Sequence, residues 1–191
     1  MGDFHMNMTR RSTVAACIAL ASLLGTAAST AHAASALELT LDGKRALAKL
    51  YASQPKSRIF ADHAKAVLVF PTIIKGAFVF GAQTGNGVLL MRGHAIGFYN
   101  ISAASFGLQA GGQAFSSAMF FMNDSALSYL QKSKGWAVGT GPTLVVVNTG
   151  AALIANSTTL TQDVYAFPFA AKGLMAGINI NGSKITRIHP K

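Results

Sequence analysis

The sequence predicts an α+β domain: a mostly antiparallel β-sheet or partly closed barrel, with N-terminal amphipathic helices and one short central helix. Two observations favour this class. Basic amphipathic segments come first, and from Ala66 onward apolar or alternating segments of strand length lie between glycine-containing turns. With 191 residues, of which 12% are charged and 51% hydrophobic, the chain has enough apolar material for one sizeable core.

Two basic segments at the start of the domain are predicted to be helices. Asp42 is expected to cap the first, residues 43–51, and Pro55 to open the second, residues 56–65. Either the basic face binds anionic head groups, each cation near such a membrane contributing about 1 kcal/mol, or it is the solvated side of a helix that docks on the sheet. The pattern fits both interpretations equally. The candidate lipid-binding residues are Lys44, Arg45, Lys49, Lys56, Arg58 and Lys65.

Strands are predicted to follow. Residues 66–70 are a continuous apolar run that Pro71 should end, and Asn86-Gly87 should form a type I′ turn. In residues 105–112 apolar side chains alternate with glycine and glutamine, which is typical of a half-buried strand with one face open to close approach. The other predicted elements are strands at 77–83, 88–92, 95–101, 116–122, 136–139, 143–148 and 164–167, a helix at 126–132 capped by 123–125, and a hairpin at 174–188.

Residues 1–33 have the pattern of a secretory signal peptide. Arg10 and Arg11 form a positive start, residues 14–28 are an apolar run, and small residues precede the expected cleavage site after Ala33. We therefore expect the product to be periplasmic or associated with the outer membrane.

Two alternatives to this cleavage stay open. Cys17 follows a lipobox-like sequence and could be acylated, although little apolar sequence precedes it and a long apolar run follows. The apolar run could also be kept as an anchor helix, for which it is short. Residues 34–191 are predicted to be a single domain, because no internal repeat or charged linker divides them.

Cleavage would change both the cysteine content and the charge. It would remove Cys17, the only cysteine, so disulfides and cysteine chemistry are excluded from the product. It would also remove Arg10, Arg11 and Asp3, which lowers the formal net charge from +10 to +9. This excess of positive charge predicts attraction to anionic surfaces without naming the partner.

The remaining residues offer little catalytic chemistry. Only His63, His94 and His189 remain among the histidines, without metal-ligand spacing, and the glycine-rich stretches lack a phosphate-loop lysine. We therefore expect no metal, no cofactor and no enzymatic activity. Trp136 is expected to anchor the core.

The sequence contains a series of motifs at residues 64–71, Lys75-Gly76, residues 85–87 with Arg92, residues 99–102, residues 106–111, Gly135-Trp136 with Gly141-Pro142, Val164-Tyr165 and residues 172–174. Together these motifs resemble the SYLF family of lipid-binding domains, and are closest to its secreted bacterial branch. The resemblance spans residues 43–188 and implies binding of membrane lipids, with phosphoinositides as targets of the eukaryotic members. In those relatives a basic amphipathic helix at the domain's start is linked to membrane contact, which by position corresponds to Lys44, Arg45 and Lys49. Fungal members also act on actin.

The sequence thus predicts a non-enzymatic peripheral protein of the bacterial cell envelope that docks on anionic phospholipid through a basic N-terminal helix. The alternatives are an envelope protein that binds another polyanion or an unknown protein partner, and, less favoured, a hydrolase or a small outer-membrane barrel. Nucleic acid is not an expected partner, because the aromatic residues lie in apolar runs instead of alternating with basic ones.

Overall fold

Most of the described chain pairs into one curled sheet of eight strands that carries three helices. The structure is a computed structural model, and it describes residues 35–77, 80–106, 111–147, 160–173, 180 and 182–191. The helices are α1 (Ala36–Ser53), α2 (Ser57–His63) and α3 (Asp124–Lys132). The strands are β1 (Ala66–Ala77), β2 (Phe80–Met91), β3 (His94–Phe106), β4 (Gly111–Phe121), β5 (Trp136–Ala137), β6 (Leu144–Val146), β7 (Val164–Gly173) and β8 (Lys184–Ile188).

The strand order is β5-β8-β3-β2-β1-β4-β7-β6, with β1 and β2 in the middle. Every pair in the sheet is antiparallel except β6 with β7, which is parallel. The sheet curls into a half-barrel. The predicted α+β class, with a mostly antiparallel, partly closed sheet, N-terminal helices and one central helix, is confirmed.

Each face of the sheet buries its own apolar core. The inner core joins residues of most strands to α3, and includes Phe70, Leu89, Phe115, Trp136 and Ile185. The outer core lies beneath α1 and α2, and its largest side chains are Leu50, Phe60, Phe120, Tyr165 and Phe167. Both faces of the sheet are covered over part of their area. The sequences of the middle strands therefore contain continuous apolar runs.

Pro71 does not end β1, contrary to the prediction. The strand continues to Ala77, and its register against β4 shifts between Phe70 and Ile73. Such a bulge accommodates a proline, which has no N–H to donate to the ladder. The Ser116 hydroxyl donates to the Pro71 carbonyl at 2.7 Å, so the irregular backbone keeps a partner.

The predicted Asn86-Gly87 turn is also wrong. Both residues lie inside β2, opposite Asn100 and Tyr99 of β3. Glycine stands at 87 because of close packing: a Cβ there would come within 2.6 Å of both the Phe70 ring and the Val69 carbonyl oxygen.

The hairpin turn between β2 and β3 lies six residues further along. Met91 pairs with His94, which leaves Arg92 and Gly93 as a two-residue turn. Their φ values of 50° and 79° have the sign that a type I′ turn requires at both positions. This turn is hard to predict from local sequence, because arginine is an uncommon residue at the first of these positions.

Other predicted boundaries shift by smaller amounts. The central helix is confirmed, with the Asn123 side chain accepting from the Ala126 amide at 2.8 Å. Within the predicted strand 105–112, residues 105–106 end β3, residues 111–112 begin β4, and 107–110 lie outside the described residues. Of the predicted final hairpin, residues 174–179 and 181 also lie outside them, while β8 pairs with β3 and β5.

Asp163 ties the start of β6 to the cap of α3. Its carboxylate accepts from the Thr143 amide at 2.8 Å, from the Thr143 hydroxyl at 2.9 Å and from the Asn123 side-chain amide at 2.7 Å. These hydrogen bonds, that of the Thr143 backbone first, lower the pKa of Asp163 below its ordinary value. The network therefore contributes stability at neutral pH and loses it as acid protonates the carboxylate.

The described residues lie within one compact unit, Ala33–Lys191. Among the helices that the structure describes, none combines the length and the apolar composition needed to cross a bilayer.

Trp136 is fully buried, and its indole N–H donates to the Thr140 carbonyl at 2.8 Å, as expected of a core anchor.

Gly87→Ala should destabilise the domain by about 1–3 kcal/mol, because the new methyl group overpacks the contact with Phe70. Gly112→Ala is the matched control in a neighbouring part of the sheet, since a Cβ there meets nothing within 4 Å. Urea denaturation of both variants measures the difference. Equal midpoints for the two variants would contradict the close approach of Phe70 to Gly87.

Candidate functional site

The basic helix α1 begins earlier than the sequence analysis predicted. Ser35, not Asp42, is its N-cap: the Ser35 hydroxyl accepts from the Glu38 amide at 3.2 Å, and the Glu38 carboxylate accepts from the Ser35 amide at 2.9 Å. This reciprocal pair is a capping box, whose Ser-x-x-Glu signature is visible in the sequence. The helix therefore gains the seven residues Ala36–Asp42.

The inward face of α1 is held against the outer face of the sheet. Leu39, Gly43, Ala46 and Leu50 are buried along it. Gly43 permits close contact, because a Cβ at this position would collide with the Val88 side chain. The helix is thus docked on the sheet, and its basic residues lie on its other sides. The two interpretations of the amphipathic pattern, docking on the sheet and binding of anionic head groups, are therefore compatible.

The outward face of α1 combines exposed leucines with cations. Leu37 is 69% exposed and Leu41 44% exposed, one helical turn apart. Lys44 and Arg45 come three and four residues after Leu41, so their side chains lie one helical turn further along, and both are exposed. We call Leu37, Leu41, Lys44 and Arg45 the α1 outer surface. The two leucines are not among the residues predicted for this surface, because the predicted helix starts after them.

Arg45 also lines an open groove of about 420 Å³ where α1 meets the sheet. Lys49 contributes from the next turn, and Thr72 and Asn86 line the sheet side. Arg45 is paired with Asp42 at 3.1 Å, an exposed ion pair of the kind that contributes little stability. Of the two cations that line the groove, Arg45 is therefore paired with Asp42 and Lys49 is not.

The other three candidate residues lie apart from this surface. The second helix spans Ser57–His63, shorter than predicted, so Lys56 precedes it and Lys65 follows it. Lys65 lies 3.5 Å from Asp124 at the start of α3 and lines a separate cavity of about 550 Å³. Three of the six candidates thus lie on α1, and the other three lie on α2 or next to its ends.

Arg58 lies against an aromatic ring. Its guanidinium carbon is 4.7 Å from the centroid of the Tyr51 ring, a cation–π contact. Burial raises the pKa of the Tyr51 hydroxyl, and the Arg58 cation opposes that shift. Arg58 thus helps to join α2 to the end of α1.

The described residues show no arrangement suited to metal binding: none of their His, Cys, Asp and Glu side chains gather in groups of three or more that could hold an ion. His63 is exposed, with Nδ1 at 2.8 Å from the Ile59 carbonyl oxygen. His94 and His189 are exposed as well. What the site offers is an apolar surface with adjacent positive charge.

Comparison with known proteins finds a family model that part of the chain matches. Residues 102–189 match the family model described as "Ysc84: Las17-binding protein actin regulator", which represents the SYLF domain. No curated protein matches the chain. The match begins within β3, so α1 and its basic residues lie outside the matched residues.

Ser35→Ala should destabilise the protein by about 1 kcal/mol, because it removes the acceptor for the Glu38 amide at the start of α1. Ser53→Ala is the control at the other end of the same helix, where the hydroxyl donates to the Lys49 carbonyl at 2.9 Å and caps no free amide. Urea denaturation compares them. If Ser35→Ala costs no more than Ser53→Ala, the capping box does not hold the first turn.

Proposed function

We propose that this chain, whose residues 102–189 are a domain of the SYLF family, is a non-enzymatic peripheral protein of the bacterial cell envelope that docks on anionic membrane through α1. The family is associated with lipid binding and with actin regulation. The observation that carries the proposal is the α1 outer surface, where Leu37 and Leu41 are exposed next to Lys44 and Arg45.

Charge and apolar contact contribute comparable free energies to such docking. Three cations, Lys44, Arg45 and Lys49, contribute up to about 3 kcal/mol at an anionic surface, less the share of Arg45 that Asp42 neutralises. Inserting the exposed parts of Leu37 and Leu41 into the interface adds about 2–3 kcal/mol, since a fully buried leucine gains about 1.5–3 kcal/mol. Together these terms predict reversible binding that needs both components.

The docking surface is already formed in the free protein. Leu39, Ala46 and Leu50 bury the inward face of α1, so the helix does not have to fold or detach to present its outward face. A surface that is ordered beforehand avoids most of the entropy cost that an unfolded amphipathic segment pays on binding.

A role in actin regulation is not part of the proposal. The description of the family names it for other members, and no feature of the described residues favours it for this chain. Binding of a soluble polyanion would use the same cations but would gain nothing from two exposed leucines, which is why a membrane is the favoured partner.

Co-sedimentation with vesicles tests the proposal. The protein should bind vesicles that contain phosphatidylglycerol, bind neutral phosphatidylcholine vesicles at least tenfold more weakly, and bind more weakly as salt screens the charges. Replacing Lys44, Arg45 and Lys49 by glutamine should reduce binding at least tenfold. Replacing Leu37 and Leu41 by glutamine should reduce it by a similar factor without changing the net charge.

The matched control removes the same charge elsewhere. Lys132, Lys134 and Arg187 are exposed, and their replacement by glutamine should lower binding by no more than about threefold through the net charge alone. Equal losses in the control and in the α1 charge variant would contradict docking through α1. Leucine variants that bind as the unchanged protein does would exclude insertion.

A further inference from the structure

A row of three polar side chains crosses the inner face of the sheet. Lys75 of β1 is directly opposite Gln83 of β2 and directly opposite Gln113 of β4. Paired residues on adjacent antiparallel strands project from the same face, so the three side chains are neighbours. Gln83 is 5% exposed and Gln113 7% exposed, while Lys75 is partly buried between them.

The hydrogen-bonding capacity of this row is incompletely used. The Gln83 side-chain amide donates to the buried Ser183 hydroxyl at 3.3 Å. The Gln113 side-chain oxygen is buried and has no hydrogen-bond partner. Buried polar groups are normally paired, so an unpaired one flanking a lysine needs an explanation.

Among the residues that the structure describes, Lys75 also has no carboxylate partner. Residues 35–191 contain only five acidic side chains, and all five are described: Glu38, Asp42, Asp62, Asp124 and Asp163. Of these, Asp42 binds Arg45 and Asp124 binds Lys65, while Glu38 and Asp163 accept hydrogen bonds from backbone amides. Lys75, a partly buried residue next to two carboxamides, is therefore not neutralised by these acidic side chains, which leaves its ammonium group available to an external anion.

The row lies near the C-terminal end of β1, and the N-terminal end of α1 is directed toward the same end of the sheet. Gly43 lies against Val69, while Leu39 shares a groove with Thr72, so α1 runs in the direction opposite to β1. The N-terminal end of α1, with exposed Leu37, is therefore directed toward Lys75. On the outer face next to Lys75, Ile74 is 60% exposed. Exposed apolar residues from two elements thus lie toward the same end as the uncompensated lysine.

We propose that Lys75, Gln83 and Gln113 form a site for the phosphate group of a membrane lipid. The lysine ammonium and the carboxamide N–H groups donate to phosphate oxygens, and the P–OH of a singly protonated phosphate monoester donates to the unpaired Gln113 oxygen. The acyl chains stay in the bilayer beside Ile74 and Leu37. This inference rests on the proposed membrane docking and adds a head-group site within the sheet, separate from the cations of α1.

A soluble lipid tests the site without requiring a membrane. Dihexanoyl phosphatidic acid, below its micelle concentration, is titrated into the ¹⁵N-labelled protein while the side-chain amide resonances of Gln83 and Gln113 are followed. Both resonances should shift in a saturable way. Lys75→Gln should abolish the shifts, and Lys75→Arg should retain them. Lys172→Gln, which removes an exposed cation from β7, should leave them unchanged.

Other probes and variants separate the outcomes. Inorganic phosphate should shift these resonances at least tenfold more weakly than the lipid; equal affinity would make this a free-phosphate site and overturn the lipid assignment. No shift with either probe would overturn the site itself, provided that thermal unfolding shows the variants folded. The chain with Lys44, Arg45 and Lys49 replaced by glutamine should keep the shifts, so a failure of α1 docking is distinguishable from a failure of this site.

Discussion

The contact between Gly43 and Val88 determines how α1 presents its side chains. A side chain at 43 would collide with Val88, so the helix could not lie this close to β2. Once the Leu39–Leu50 side of the helix is buried, the 3.6-residue period leaves Leu37 and Leu41 facing outward beside Lys44 and Arg45. An apolar and basic surface is therefore a consequence of how the helix docks.

The scarcity of acidic residues is a second constraint on the whole domain. Only five carboxylate side chains follow residue 34. Asp163 is held by Thr143 and Asn123, and Glu38 by the capping box, so both serve structural roles. The domain thus carries a positive excess that its own acids do not neutralise, and electrostatic attraction to anionic surfaces follows at any orientation. The exposed leucines are what favours one orientation over the others.

The sheet could be predicted from the sequence better than its turns could. Apolar runs and alternation mark the strands because burial imposes them, and a local cap such as Asn123 marks a helix start through a short-range hydrogen bond. The turn predicted at Asn86-Gly87 is wrong because glycine is required at 87 by the nearby Phe70 ring. That contact is long-range, and local turn preferences do not reflect it. Pro71 misled for a similar reason, since a bulge absorbs it.

For the candidate site, the local signals were partly visible. The basic residues of α1 could be named from the sequence, and the Ser35–Glu38 capping box that extends the helix is also a local sequence signal. The row formed by Lys75, Gln83 and Gln113 could not be found in this way, because it depends on the register of three strands that are distant in the sequence.

The most direct test of membrane docking through α1 is a fluorescence measurement at Leu41. In a chain whose Cys17 is replaced by serine, an environment-sensitive fluorophore is attached to cysteine at position 41 or, as a control, at position 132. With anionic vesicles, we expect a blue shift and protection from an aqueous quencher at position 41 and neither at position 132. A label at 41 that stays fully accessible to the quencher while the protein is vesicle-bound would contradict the proposal.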